Sequence, residues 1–239
     1  MLGPIVNGAA LAGGSMAGAF LGDKISENLR VRMPMVFGLS CMGLGIPMLI
    51  KVKFLPAVIL ALLLGTLIGE TCRLEAGLQR LAAQAKGWIE QFARPAAGGL
   101  TQTQFLEQFV AITVLFCASS AGIFGAMNEG MTGDTSLLMV KSILDLFTAA
   151  IFATALGYTV AVLAIPQFCI QAALFFLAVK ILPLTSPAMV ADFSACGGLI
   201  LLATGFRIAG IKAFAVANML PALVLAMPIS ALWARFMVH

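Results

Sequence analysis

Ionisable side chains inside long apolar stretches are the residues of this sequence that could do chemistry within a membrane. Lys141 and Asp145 are four residues apart in a strongly apolar stretch, a spacing that places both on one face of a helix. Asp145 lies about 12 Å inside that stretch, at about 1.5 Å per residue, and its side chain is too short to reach water from there. The pair predicts either a structural ion pair or a position on the path of a solute or an ion.

Amides and further acids occur in or beside other apolar stretches. An amide inside an apolar helix can bond to a neighbouring helix or to a solute, and the first use is the commoner one. Acidic groups in a turn predict either a solvated loop or a vestibule that attracts cations. The remaining candidate path residues are Asn7, Asn128, Glu129, Asp192 and Asn218, and Gln167 and Gln171 are two further amides in an apolar stretch.

Glycines spaced four residues apart form ridges on two of the predicted helices. Gly14, Gly18 and Gly22 form one ridge, and Gly65 and Gly69 form the other. Because glycine has no side chain, such a ridge lets another backbone approach closely in lipid. The ridges therefore predict helix packing inside one subunit, an oligomer interface or the lining of a pore.

The amino-acid composition indicates the kind of fold in which these residues lie. Hydrophobic residues make up 61% of the 239 residues and charged residues only 10%, whereas a soluble domain carries about 25% charged residues. We therefore expect a single all-α domain over 1–239, an integral membrane bundle of seven or eight transmembrane helices. The stretch 135–182 is too long for one span and is divided near Gly157 and Tyr158. The predicted spans are 2–22, 33–50, 54–72, 105–127, 137–155, 160–182, 188–207 and 213–236.

The basic residues predict an orientation. With eight spans, Lys and Arg concentrate in the loops on one side when both termini are outside the cell, and this side is then cytoplasmic. The segment 73–104 falls on that side. Apolar residues recur at helical spacing over 73–94, which predicts an amphipathic helix followed by a flexible linker. This helix either connects two spans along the membrane surface or docks a partner.

Several function classes find no support in the sequence. There is no phosphate-binding loop, no dinucleotide-binding fingerprint and no HExxH motif. The one histidine is His239, and the five cysteines share no CxxC spacing, so we expect no metal and no cofactor. No basic run with interleaved aromatic residues indicates a nucleic-acid partner. We therefore expect a protein that is not an enzyme.

Two pairs of segments resemble each other and suggest an internal duplication. MPMVF, which begins at Met33, resembles MVADF, which begins at Met189, and LPAVILA from Leu55 resembles LPALVLA from Leu220. With eight spans the two copies run in opposite directions, which gives the inverted repeat used by many transporters. With seven spans the repeat is parallel.

Longer stretches resemble a known family. LGPIVNGAALAGGSMAGAFLGDKI, VFGLSCMGLGI and LPAVILALLLGTLIGE are similar to the YqgA-like family of bacterial inner-membrane proteins, a domain of unknown function whose members are often labelled as transport proteins. The resemblance covers the whole chain. It implies a polytopic fold in the bacterial inner membrane and supplies neither a substrate nor site residues.

These observations favour a small channel or secondary transporter for a small solute or ion. The alternative is a membrane scaffold or regulatory subunit that docks partners through the predicted helix at 73–94. The glycine ridges further predict a homo-oligomer in the lipid bilayer.

Overall fold

Helices form nearly all of the computed structural model of this chain, which describes residues 1–21, 27–84, 102–117 and 119–237. No strand occurs in these ranges, so the predicted all-α class is confirmed. Two short 3-10 segments, Gly157–Leu163 and Leu182–Leu184, join longer helices. The helices are α1 Leu2–Leu21, α2 Glu27–Ile50, α3 Leu55–Cys72, α4 Leu74–Gln84, α5 Gln102–Cys117, α6 Ser120–Thr132, α7 Ser136–Leu156, α8 Ala164–Ile181, α9 Pro187–Ile208, α10 Val216–Met219 and α11 Pro221–Met237.

Several of these helices are long and apolar enough to cross a membrane. Within the described residues, five stretches meet this requirement, and α2 contributes a shorter apolar helix over Met35–Ile50. The five stretches are Leu2–Leu21, Leu55–Cys72, Ser136–Leu184, Pro187–Ile208 and Val216–Phe236. Their length and composition are those of membrane-spanning helices and indicate a membrane protein.

The structure breaks one predicted span that the sequence treats as continuous. The span expected over 105–127 is divided into α5 and α6, and Ser119 is the N-cap of α6. The Ser119 hydroxyl accepts a hydrogen bond from the Gly122 N–H at 3.4 Å. A serine at this position competes for backbone donors and so favours a new helix start. The predicted break near Gly157 is confirmed, because Gly157 has a φ of 69° and ends α7.

The glycine ridge of α1 packs against α7. A Cβ added at Gly14 would meet the backbone of Leu146, and one added at Gly18 would meet the backbone of Ala150. From the first contact to the second, the residue number increases by four on each helix, so α1 and α7 are parallel. Gly14 and Gly18 are thus used for close packing within the chain, while Gly22 lies outside the described residues.

Two antiparallel helix pairs join the N-terminal part of the chain to the C-terminal part. In the pair α2–α9, a Cβ at Gly38 would lie 2.6 Å from the Gly205 carbonyl oxygen, and one at Gly45 would lie 2.6 Å from that of Gly198. In the pair α3–α11, which continues upstream into α10, Gly65 lies against the backbone of Ala222 and Gly69 against that of Asn218.

Helix α6 packs between α7 and α8 in the middle of the chain. Gly122 lies beside Lys141 and Gln171, whereas Gly130, two turns further on, lies beside Ala178. Gly125 lies beside Leu138. Helix α6 therefore runs antiparallel to α7 and parallel to α8, and the chain reverses direction between α7 and α8.

Candidate functional site

A cavity of about 350 Å³ lies beside the break between α5 and α6. We call it the break cavity. The first turn of α6 contributes Ser119 and Ala121 to its lining, and α7 contributes Lys141 and Asp145. Its other polar lining residues are Glu75, Thr148, Thr204 and Arg207. Much of the remaining wall is apolar. A largely apolar cavity with a few convergent polar groups is the usual form of a small-molecule site.

The ion pair on the wall of this cavity is buried. Lys141 is 4% exposed and Asp145 is 7% exposed. The Lys141 ammonium pairs with Asp145 Oδ2, and Gln167 Nε2 of α8 donates to the same oxygen at 2.6 Å. The predicted pairing across one helical turn is thus present. Two charges removed from water are costly, and their mutual attraction offsets that cost only in part.

Amides without partners surround the ion pair. Gln171 is 2% exposed, and neither its amide oxygen nor its amide nitrogen has a hydrogen-bond partner. The same holds for both amide atoms of Asn7, and Gln167 Oε1 also lacks a partner. Buried polar atoms without partners are rare in native proteins, because each costs about 1–3 kcal/mol. They lie on α1, which packs against α7, and on α8, whose Gln167 donates to Asp145, and they give this region unused capacity for hydrogen bonding.

A second ion pair lies at the mouth of the break cavity. Arg207 Nη1 is 2.7 Å from Glu75 Oε1 and also donates to the Phe214 carbonyl at 3.1 Å. The Glu75 N–H donates to Asn218 Oδ1 at 2.8 Å. Helix α4 is therefore attached to the ends of α9 and α10 where the cavity opens. This α4 is the first part of the amphipathic helix predicted over 73–94, and residues 85–94 lie outside the described part of the chain.

A second cavity, of about 480 Å³, lies at the other end of α9. We call it the turn cavity, because residues of the turns after α6 and α8 line it. Asn128 and Asp134 are among its polar residues, together with Lys51 and Ser194. The Ser194 hydroxyl donates to Asn128 Oδ1 at 3.4 Å. Cavities thus approach the centre of the bundle from both ends of α9.

Two phenylalanines lie on the helices that separate the cavities. Phe124 is on α6, between Ala121 of the break cavity and Asn128 of the turn cavity. Its ring centroid is 5.2 Å from that of Phe193 on α9, and both side chains are at most 1% exposed. Neither ring is among the lining residues of either cavity, and the two rings form an apolar contact between α6 and α9.

Three other predicted path residues bind the first turns of helices. Asp192 Oδ1 accepts from the N–H groups of Lys53 and Phe54 before α3, and its Oδ2 accepts from the Ser230 hydroxyl at 2.6 Å. Glu129 accepts from the Gly3 N–H of α1 at 3.1 Å. Asn218 binds the start of α4, as described above.

The structure brings together part of the predicted set. Lys141 and Asp145 share the break cavity, whereas Asn128 lies in the turn cavity, and neither cavity includes Asn7, Asp192, Asn218 or Glu129 in its lining. Sequence reasoning missed Ser119, although a serine pair inside an apolar stretch was a usable signal. It also missed Glu75 with Arg207, which no local pattern could join. In the described part of the chain, no three His, Cys, Asp or Glu residues come together as metal ligands would.

Comparison with known proteins identifies the family. The family model described as "Protein of unknown function (DUF554)" matches residues 2–231. The chain belongs to the DUF554 family. It is similar to "Uncharacterized protein YqgA" of Escherichia coli (strain K12), with 53% identity over 236 residues that cover 99% of each chain. It is also similar to "Uncharacterized membrane protein YdfK" of Bacillus subtilis (strain 168), with 24% identity over 229 residues that cover 94% of this chain and 93% of the relative. No solved structure matches. The resemblance noted from the sequence is confirmed.

Proposed function

We propose that this DUF554 protein is a multi-pass transporter or channel of the bacterial inner membrane, with the break cavity as its binding site for a small solute or ion. The observation that carries the proposal is the buried Lys141–Asp145 pair on the wall of that cavity. An intramembrane ion pair that serves structure alone is expected in a dry helix contact. One that faces a cavity is the arrangement expected on a transport path. The proposal includes no enzymatic activity.

The directions of the helices support eight crossings. Helices α1 and α7 are parallel, α2 opposes α9, α3 opposes α11, and α6 opposes α7. All four relations follow if the crossings alternate in the order α1, α2, α3, α5 with α6, α7, α8, α9 and α11. Both termini then lie on the same side. Because the loops rich in Lys and Arg lie on the opposite side, the break cavity opens to the cytoplasm and the turn cavity to the outside.

The contacts between α2 and α9 also support an inverted repeat. When Gly38 is aligned with Gly198, which is four residues from the register that aligns Met33 with Met189, Gly45 falls on Gly205, and the contacts Gly38–Gly205 and Gly45–Gly198 then exchange with each other. Such exchange is what a two-fold axis in the membrane plane produces. The aligned segments of α3 and α11 have buried residues at matching places, which are Ala57 with Ala222, Val58 with Leu223 and Ala61 with Ala226.

This architecture matches that of secondary transporters. Their binding sites lie near the midplane at the interface of inverted repeats, beside a helix that is broken there. The break at Ser119 and the Lys141–Asp145 pair provide both features. A rocking motion that separates Phe124 from Phe193 would open the break cavity to the turn cavity and close its cytoplasmic mouth.

Thiol accessibility tests the proposal without knowledge of the solute. In a cysteine-free background, Ser119→Cys would be exposed to a membrane-impermeant thiosulfonate added to right-side-out or inside-out vesicles. We expect modification from the cytoplasmic side, because the break cavity holds water and opens there. Ser194→Cys in the turn cavity should react from the outside. Ala57→Cys, which replaces a residue with 0% exposure in the α3–α11 contact, is the unreactive control.

Two results would contradict the proposal. A Ser119→Cys protein that reacts from neither side would show a dry cavity and favour the scaffold alternative. Reaction of Ser119→Cys from the outside alone would reverse the proposed orientation and, with it, the assignment of the two cavities.

The scaffold alternative depends on docking through the helix predicted over 73–94. Its described part, α4, is held to the rest of the chain by Arg207 and Asn218. The homo-oligomer remains part of our proposal, with an interface other than Gly14 and Gly18, which pack against α7. Size-exclusion chromatography with light scattering tests it, and a monomer would contradict it.

A further inference from the structure

We propose that the break cavity binds the carboxylate of a small monocarboxylic acid between the start of α6 and the Lys141 ammonium, and that Asp145 takes up a proton in the same event. The proposal names the solute class of the transport site proposed above and rests on that function. Four features of the cavity support it: its positive end, an unpartnered amide, the partners of Asp145 and the apolar wall.

Positive charge converges where α6 begins. Ser119 and Ala121 line the cavity, so the first turn of this helix faces it. The first N–H groups of a helix have no partners within the helix, and its N-terminus carries a partial positive charge, which together favour a bound anion. Lys141 Cε lies 3.1 Å from the position that a Cβ would occupy at Gly122, so the ammonium adds a full charge beside the same turn.

The buried amide of Gln171 faces this turn as well. Its Nε2 lies 2.9 Å from the same Cβ position at Gly122 and has no hydrogen-bond partner. Glycine at this place leaves the space into which Gln171 and Lys141 both extend. Gln171 is not itself a lining residue of the cavity, but a carboxylate bound against the turn at Gly122 would offer it the acceptor that it lacks. The helix start therefore does not stand alone, because an unpartnered donor from another helix converges on it.

Asp145 is the present partner of the ammonium and therefore the competitor of a solute carboxylate. When the solute takes Lys141, Asp145 loses its counter-charge. The other ionisable groups that face it are Glu75, Arg207 and the Cys41 thiol on the cavity lining, and the Cys117 thiol at the end of α5. Arg207 is paired with Glu75, so among the described lining residues no cation replaces Lys141. The Asp145 carboxylate then takes up a proton that the buffered solution supplies through the cavity, and one anion and one proton bind together with no change in the net charge of the site.

The rest of the wall defines the tail of the solute. Phe116, Leu144 and Phe152 are among the apolar lining residues, and the volume of about 350 Å³ admits a short aliphatic or aromatic group. A second carboxylate on the solute would have to lie against this apolar wall or compete with Glu75, which already pairs with Arg207, and either position is costly. The class of solute is therefore a monocarboxylate with a small apolar tail.

Three probes of one shape test the assignment by calorimetry on the purified full-length protein. They are 4-methylpentanoate, its uncharged amide 4-methylpentanamide, and leucine, which adds an α-amino group to the same skeleton. We expect 4-methylpentanoate to bind with uptake of one proton, measured in buffers that differ in ionisation enthalpy, and to bind more tightly as the pH falls. The amide should bind at least about tenfold more weakly, because a charge-assisted bond is lost.

Variants separate this site from a merely structural ion pair. Asp145→Asn should bind 4-methylpentanoate about tenfold more tightly and without proton uptake, since the competitor is gone. Adding Lys141→Met to Asp145→Asn should then weaken binding about a hundredfold. Gln171→Leu keeps the ion pair, removes an unpartnered amide and should leave the protein at least as stable while weakening binding. Glu70→Gln and Lys180→Met change exposed residues outside the cavity and serve as controls.

The outcomes are distinct. The proposal is overturned if 4-methylpentanoate and 4-methylpentanamide bind equally well, or if Gln171→Leu and the double variant both keep the wild-type affinity. It is also overturned if leucine binds and 4-methylpentanoate does not, because Asp145 would then be the partner of the leucine ammonium group. If binding follows the variants but proteoliposomes show no flux of 4-methylpentanoate, the transport function fails and the site stands. Flux of this acid that is indifferent to Lys141 would remove the site and leave transport intact.

Discussion

Two aspartates buried among apolar helices, Asp192 and Asp145, differ in what surrounds them. Asp192 is 0% exposed, and both of its oxygens accept from neutral donors, the N–H groups of Lys53 and Phe54 and the hydroxyl of Ser230. Asp145 pairs with a lysine on a cavity wall and has unpartnered amides as neighbours. Both aspartates are therefore buried acids. They differ in whether the polar groups around them all have hydrogen-bond partners.

The difference separates a structural acid from a functional candidate. A carboxylate that receives backbone N–H groups at a helix start has fixed partners, because the helix cannot move away without breaking several bonds at once. A carboxylate paired with a long flexible side chain at a cavity can exchange that partner. Asp192 thus joins α3, α9 and α11 in the two regions that resemble each other, whereas Asp145 is placed where a solute can reach.

The largest effect should come from the backbone contact that positions α7 and with it Asp145. Gly18→Ala would drive a methyl group into the backbone of Ala150, and we expect a loss of about 3 kcal/mol or failure to fold. Gly13→Ala is the matched control, because nothing lies within 4 Å of its Cβ position. Thermal unfolding in detergent, followed with a dye that reacts with the buried thiols of Cys41 and Cys196, measures both. Equal melting temperatures would show that α1 does not fix α7.

The second-largest effect should come from removal of the Asp192 carboxylate, both oxygens of which accept hydrogen bonds. Asp192→Ala leaves two N–H groups and the Ser230 hydroxyl without an acceptor, and we expect a loss of about 3 kcal/mol. Asp192→Asn keeps one acceptor oxygen and should lose about 1 kcal/mol. The same thermal assay applies, with Glu70→Gln as the control at an exposed carboxylate. If Asp192→Ala were as stable as the wild type but failed to transport, Asp192 would belong with Asp145 and the comparison would be wrong.

The sequence predicted those parts of the fold that depend on local pattern. The all-helical class, the break at Gly157, the first part of the amphipathic helix and the Lys141–Asp145 pair all follow from composition or from spacing within one helix. The break at Ser119 was missed, because the apolar residues on both sides masked a local capping signal. An apolar stretch shows that a helix forms but not where its backbone bonds are interrupted.

The site could be predicted only where its members share a helix. Asp192 and Asp145 look alike in the sequence, since each is an acid inside an apolar stretch. Their partners lie on other helices, namely Ser230 on α11 for one and Gln167 on α8 for the other. The pairing of Glu75 with Arg207 likewise depends on how α4 meets α9. Such contacts are set by helix packing, which a single sequence does not encode in any spacing.

The next smaller effect should come from Lys141, and a double-mutant cycle measures how strongly it is coupled to Asp145. Lys141→Met leaves Asp145 with the Gln167 hydrogen bond but without its counter-charge, and we expect a loss of about 2 kcal/mol, which Asp145→Asn added to it should largely repair. The coupling free energy should be about 1–3 kcal/mol. Asp192→Asn with Ser230→Ala is the parallel cycle and should show less coupling, because its hydrogen bond has a neutral donor. Additive losses at Lys141 and Asp145 would show that water or another group already compensates each charge.

The smallest effect should come from a third acid, Asp134, which is exposed in the turn before α7. Its Oδ1 accepts from the Ser136 N–H at 2.9 Å, and hydrogen bonds from Ser136 hold the pKa of Asp134 below its usual value of 3.8. Because the folded state lowers this pKa, the carboxylate stabilises the fold above its usual pKa, and this contribution is lost as the pH falls through the lowered value. Because solvent screens this exposed carboxylate, Asp134→Asn should cost only ~0.3 kcal/mol at neutral pH, and the difference from wild type should shrink below pH 3.8. Melting temperatures of the two proteins across this range provide the measurement. A pH-independent difference would mean that the charge of Asp134 does not contribute to stability. A loss as large as that of Asp192→Ala would mean that burial does not determine how much an aspartate contributes to the fold.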